Sequence, residues 1–203
     1  MNFLQLTFYY RILLLVLFLS AISLLDYRKH GTGATKWREC LYICTIGLFG
    51  AVYAILIDFV TSSISKHYFI IGKGIQDNSS FFNNVILQGM EAGFIGDLVG
   101  ACILVYANNP KPNEPSLPYI QLSFQLWLPI LLSLLLGILS GLSVYNLFPI
   151  EHFTFYQGVL SKKEALRFVT VWGTHIGIYI GAILGFVMGG YRVYRQRAEK
   201  KPE

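Results

Sequence analysis

Charge is scarce in this chain. Asp, Glu, Lys and Arg together make up 13% of its 203 residues, where an ordinary soluble domain holds about 25%. Too few charges are present to coat a soluble globule of this size, which excludes a soluble enzyme, a disordered protein and a free nucleic-acid binder. Cysteine is scarce as well: Cys40, Cys44 and Cys102 form no Cys-x-x-Cys pair, so zinc-ribbon and thioredoxin-like chemistries are excluded. The sequence has no G-x-S-x-G elbow, Walker loop or Rossmann fingerprint, and no HExxH or ExxH spacing. Gly72-Lys73-Gly74 falls on the side assigned below to the outside, away from nucleotides.

What is present is apolar. Hydrophobic residues make up 54% of the chain, and they gather into stretches long enough for the ~20 residues that cross a bilayer as a helix. Five such stretches cover about 3–25, 41–60, 82–107, 120–148 and 166–191, with a basic tail over 192–203. The pattern predicts an all-α integral membrane bundle of four to five transmembrane helices, built as a single domain over 1–203. The number is four if residues 1–25 form an interfacial helix or a signal peptide rather than a span. Pro129 is expected to kink the fourth span near its start, and Pro110, Pro112, Pro115 and Pro118 mark a loop.

Lys and Arg collect on the cytoplasmic side of membrane proteins. With the tail inside, the inner segments hold ten basic residues and the outer ones six, the outer six being Arg11, Lys66, Lys73, Lys162, Lys163 and Arg167. The expected location is therefore a membrane, with the N-terminus outside and the C-terminus cytoplasmic. The lipid bilayer is the first partner, a second copy or another membrane subunit is an open second, and nucleic acid is excluded. The three cysteines fall on the reducing side and are read as small apolar residues.

Two spans carry glycine in register. Gly173, Gly177, Gly181, Gly185 and Gly189 repeat every fourth residue, and Gly89, Gly93, Gly96 and Gly100 form a similar face on the third span. Such faces let helix backbones approach closely. The expectation is that these two spans pack on each other through them, or that the faces drive oligomerisation.

Ionisable groups at membrane depth cost a few kcal/mol and mark candidate sites. Asp58, Glu91, Asp97 and His175 are such groups. Counting about 1.5 Å per residue puts Glu91 and His175 at one depth, Asp58 about two turns nearer the outer surface, and Asp97 about 9 Å further inward on another face. His67 and His152 lie in the outer loops. Asp58, His67, Glu91 and His175, with His152 as a weaker fifth, are the expected metal ligands. A carboxylate and imidazole set of this kind suits Fe, Cu, Zn or Mn. A Glu91–His175 pair that only fixes packing, and a proton or ion path, are the other readings. No catalytic residue is assigned.

Asp58-Phe-Val-Thr-Ser-Ser-Ile-Ser-Lys-His-Tyr-Phe69 resembles a motif in a group of uncharacterised bacterial membrane proteins, in which an Asp is followed by Thr three residues on and then by Ile-Ser-Pro-Glu-Tyr-Phe. Asp58, Thr61, Ile64, Ser65, Tyr68 and Phe69 match, while Lys66 and His67 replace Pro and Glu. His175, Tyr179, Gly181 and Gly185 resemble the last helix of that group. The resemblance covers about 30 residues. It implies a four-span unit preceded here by an extra segment, and treats Asp58, residue 67 and His175 as one constellation. It implies no activity. The functional classes left open are a metal-binding, redox-active membrane protein, a small proton- or ion-coupled transporter or channel subunit, and a structural assembly protein.

Overall fold

Five runs of apolar residues become five helices long enough to cross a membrane. The structure is a computed structural model and describes residues 3–109, 115–147 and 158–199. Every element among the described residues is helical: α1 (Phe3–His30), α2 (Lys36–Ile64), α3 (Phe81–Ala107), the short α4 (Tyr119–Ser123), α5 (Trp127–Leu147) and α6 (Lys162–Ala198). A π-turn at Tyr68–Gly72 lies between α2 and α3, and a 3-10 turn at Phe124–Leu126 joins α4 to α5. Pro129 sits in the first turn of α5, where its missing N–H leaves no bond unmade, and the break falls just before it at the 3-10 turn.

The bundle is built from two tight antiparallel hairpins, α2–α3 and α5–α6, and the glycines explain the pairing. A Cβ on Gly177 would meet the carbonyl of Leu136, one on Gly181 the carbonyl of Leu132, and one on Gly185 the backbone of Pro129, all on α5. On α3, a Cβ on Gly93 would strike the Gly50 carbonyl and one on Gly89 the backbone of Ala54 and Ile55, all on α2. Gly177, Gly181 and Gly185 are thus filled by α5, and Gly89 and Gly93 by α2. The expectation that the third and fifth spans pack on each other through their glycines holds at Gly100 and Gly189, which meet Phe186 and Leu104, while the other glycines named here face the neighbouring helix of their own hairpin. Close backbone approach is reached first by the partner that a short connection already holds antiparallel. Gly100, filled by the Phe186 ring, is a close contact between α3 and α6.

The two ends of the bundle are finished differently. On the side where α6 ends, Asn108 exchanges hydrogen bonds with the backbone of Leu117 (2.7 and 2.9 Å), and the fully buried Arg197 donates to the carbonyls of Ala107 and Pro115. The sequence places 192–203 in a basic tail, but the helix continues to Ala198, because Arg197 has the end of α3 to cap. Asp26 likewise accepts from the backbone N–H of Thr35 and Lys36, tying α1 to the start of α2. On the opposite side, Tyr68, Phe69, Ile75, Phe81 and Val85 pack against Ala165, Phe168, Val169 and Val171. The first turns of α6, opened by a capping box of Ser161 and Glu164, thus stand above the other helices and hold the 65–80 segment as a cap.

Candidate functional site

Beneath that cap the chain buries an ion pair. Lys73 comes back toward the bundle between Gly72 and Gly74; Gly74 has φ +69°, a left-handed turn that favours glycine. The Lys73 ammonium donates to Oδ2 of Asp58 at 2.9 Å, with the two side chains 12% and 5% exposed. The Phe69 ring lies 4.7 Å from the same ammonium. Gly89 on α3 leaves room for the Asp58 carboxylate, since a Cβ there would stand 3.2 Å from Oδ2.

His175, on α6, completes the cluster. Its Nε2 lies 3.6 Å from Oδ1 of Asp58 and 3.2 Å from the Thr61 hydroxyl. The Thr61 hydroxyl donates its one proton to the Ile57 carbonyl at 2.8 Å. It therefore accepts from His175, which places the ring proton on Nε2. The imidazole is boxed by aromatic rings: Tyr68 at 5.0 Å and tilted by 30°, Tyr179 and Phe69 edge-on at 6.1 Å.

The site expected from sequence is thus brought together in part. Asp58 and His175 meet. Glu91 does not join them; it pairs with Arg11 of α1. Depth along the axis does not decide which residues meet: two residues past Gly89 is about 200° around a helix. Gly89 faces Asp58, so Glu91 faces away. His67 is half-exposed, its Nδ1 3.9 Å from Glu164 at the start of α6. His152 lies outside the described residues. Among the described residues, no three His, Cys, Asp or Glu side chains gather as metal ligands would. Asp58 lies at the level of His175 rather than two turns above it. α2 runs on to Ile64 and the cap covers its end, so the membrane-facing boundary drawn from hydropathy fell one turn short.

Lys73 is the residue that sequence reasoning missed. Its signal was a cation flanked by glycines in a loop that begins shortly after a membrane-depth Asp. Gly50 was missed as well: a Cβ there would collide with the side chain of Asp97.

The cluster forms one end of a cavity of about 420 Å³ between the two hairpins. α2 contributes Tyr53, Ala54 and Ile57 to its wall, α3 contributes Gly93, Gly96 and Asp97, and α6 contributes Ile178, Tyr179 and Phe186. From His175 to Phe186 the wall runs about 16 Å along α6, roughly half of a ~30 Å hydrocarbon core. Gly96 faces open space, with nothing within 4 Å of a Cβ built there. Behind Asp97, Tyr53 and Ser133 share a 2.7 Å hydrogen bond that ties α2 to α5. The volume lies in the ordinary range for small-molecule sites, about 300–1,000 Å³. Comparison with protein families finds no matching model, and neither the curated proteins nor the solved structures contain a match.

Proposed function

We propose that this multi-pass membrane protein binds a lipophilic small molecule drawn from the bilayer, held in the cavity between the α2–α3 and α5–α6 hairpins. The Asp58, Lys73 and His175 cluster serves as the polar anchor at the end beneath the cap. The observation that carries the reading is the cavity itself: an apolar space of about 420 Å³ with its polar groups collected at particular depths. Gly96, with open space beside it, keeps it open. The tail side is assigned to the cytoplasm on the ten-to-six division of basic residues, which puts the anchor in the outer half.

Metal binding is the competing role for the anchor. Asp58 and His175 would supply two ligands, and the Lys73 ammonium occupies the place beside the carboxylate that a metal would take. Elemental analysis decides between them: a stoichiometric transition metal, lost in both Asp58→Asn and His175→Ala, would replace the anchor reading.

The cavity is tested by photolabelling purified protein in nanodiscs with a neutral alkyl diazirine probe. Saturable labelling is expected at cavity residues such as Tyr53 and Tyr179. Gly96→Phe fills open space, so it should abolish that labelling while leaving the unfolding temperature within a few degrees. Labelling that never saturates, or that Gly96→Phe leaves unchanged, would overturn the reading.

A further inference from the structure

One charge in the cavity is left without a counter-charge. Of the charged residues in its wall, Asp58 and Lys73 neutralise each other. Asp97 lies on the same wall, eight residues along α3 from the Gly89 level where Asp58 sits, or about 12 Å further toward the tail side. Gly50, opposite on α2, accommodates its side chain. Among the described residues no group donates a hydrogen bond to Asp97 or forms an ion pair with it. It is near the middle of a 27-residue helix, at a depth where an unmatched charge costs several kcal/mol. Its carboxyl must therefore carry a proton or face a cation.

The surroundings decide what kind of cation. Tyr53, Tyr179 and Phe186 supply aromatic rings, and the rest of the wall near Asp97 is glycine and alkyl surface. A small metal ion keeps its charge solvated by six or more oxygens, which such a wall does not offer. A bulky cation with its charge spread over apolar groups has little water to lose, and aromatic faces attract it.

We infer that the cavity is a site for a lipophilic organic cation, with Asp97 as its counter-ion and the proton as its competitor. The inference rests on the cavity reading above and narrows its ligand class. The exchange balances: a cation entering beside a protonated Asp97 displaces one proton, and the carboxylate left behind pairs with the cation. Affinity therefore falls as pH falls. The other titratable groups facing the cavity are Tyr53 on α2, His175 and Tyr179 on α6, and the Asp58–Lys73 pair beneath the cap. The last of these is already neutral as a pair.

The test is equilibrium binding of radiolabelled tetraphenylphosphonium to the purified full chain in detergent. About one saturable site per chain is expected at mildly alkaline pH, weakening on acidification. Asp97→Asn keeps the side-chain volume and should weaken binding about tenfold or more. Glu91→Gln removes a carboxylate outside the cavity and should leave binding unchanged. Gly96→Phe should abolish binding by occupying the space, a second check if Asp97→Asn folds poorly. Binding that is absent, or equal in wild type and Asp97→Asn, sinks the inference. If saturable labelling by the neutral diazirine persists in that case, the cavity reading stands without it. If labelling fails too, both fall.

Discussion

The Asp58–Lys73 pair illustrates how a single contact changes what a sequence position means. A membrane-depth Asp near a His reads from sequence as a ligand set, because both residue types bind metals. The structure gives the carboxylate to an ammonium 2.9 Å away, and the His to a threonine hydroxyl and a ring of aromatics. Lys73 lies fifteen residues from Asp58 across a π-turn, and no helical periodicity links the two. Asp58 and His175 were legible because cost and depth single out buried ionisable groups. Their partner was not, since it depends on the path of a loop. Removing one member of a buried ion pair strands the other, at a cost of about 3–5 kcal/mol. Lys73→Met and Asp58→Asn should each lower stability by that order, and the double variant should recover a large part of the loss. Denaturant unfolding in detergent measures all three. Additive losses in the double variant would show that the two side chains do not depend on each other.

Between helices, backbone approach governs. The five spans and their all-α character follow from run length, which α1, α2, α3, α5 and α6 obey. The four-residue glycine repeat also announced a close contact, but a repeat carries no address. The partner is decided by chain connectivity and by the small residues on the facing helix. On α5, a Cβ on Gly137 would meet Ile178 and one on Gly141 the Thr174 hydroxyl, so α5 and α6 interlock from both sides. On α2, Gly50 receives α3 in the same way. Two glycines on these faces should respond in opposite ways to the same change. Gly181→Ala pushes a methyl into the Leu132 carbonyl, an overpacking cost of about 1–3 kcal/mol. Gly96→Ala meets open space and should be neutral or slightly stabilising, since Ala favours a helix by about 1 kcal/mol over Gly. Thermal unfolding of the two variants side by side checks the contrast, and equal loss in both would contradict the packing described here.

For the molecule as a whole, the helices are unequal in length and role. α6 has 37 residues, about 55 Å of helix against a ~30 Å hydrocarbon core. Its surplus holds the 65–80 cap at one end and the Arg197 clamp at the other. α1 is the most lipid-exposed span, with 6% of its apolar window buried, and is held to the bundle by the Asp26 bonds and the Arg11–Glu91 pair. The expected orientation rests on charge alone, and a reporter of cytoplasmic location fused after Glu203 tests it: it should be active. An inactive reporter would invert the map and place the Asp58 cluster in the inner half. The seam between the two hairpins is built differently from their interiors, which has a mechanical consequence. Each hairpin is locked internally by backbone contacts, whereas the seam is joined by side chains: Phe186 against Gly100, the Tyr53–Ser133 bond, the buried cluster, the Arg197 clamp, and Phe81 and Val85 against Phe168 and Val169. A bilayer thicker or thinner than these helices prefer costs fractions of a kcal/mol per ångström. Side-chain contacts yield to such a load more readily than backbone contacts do, so the hairpins are expected to slide past one another like the blades of shears. The lipid that surrounds the protein would then set the width of the space between them.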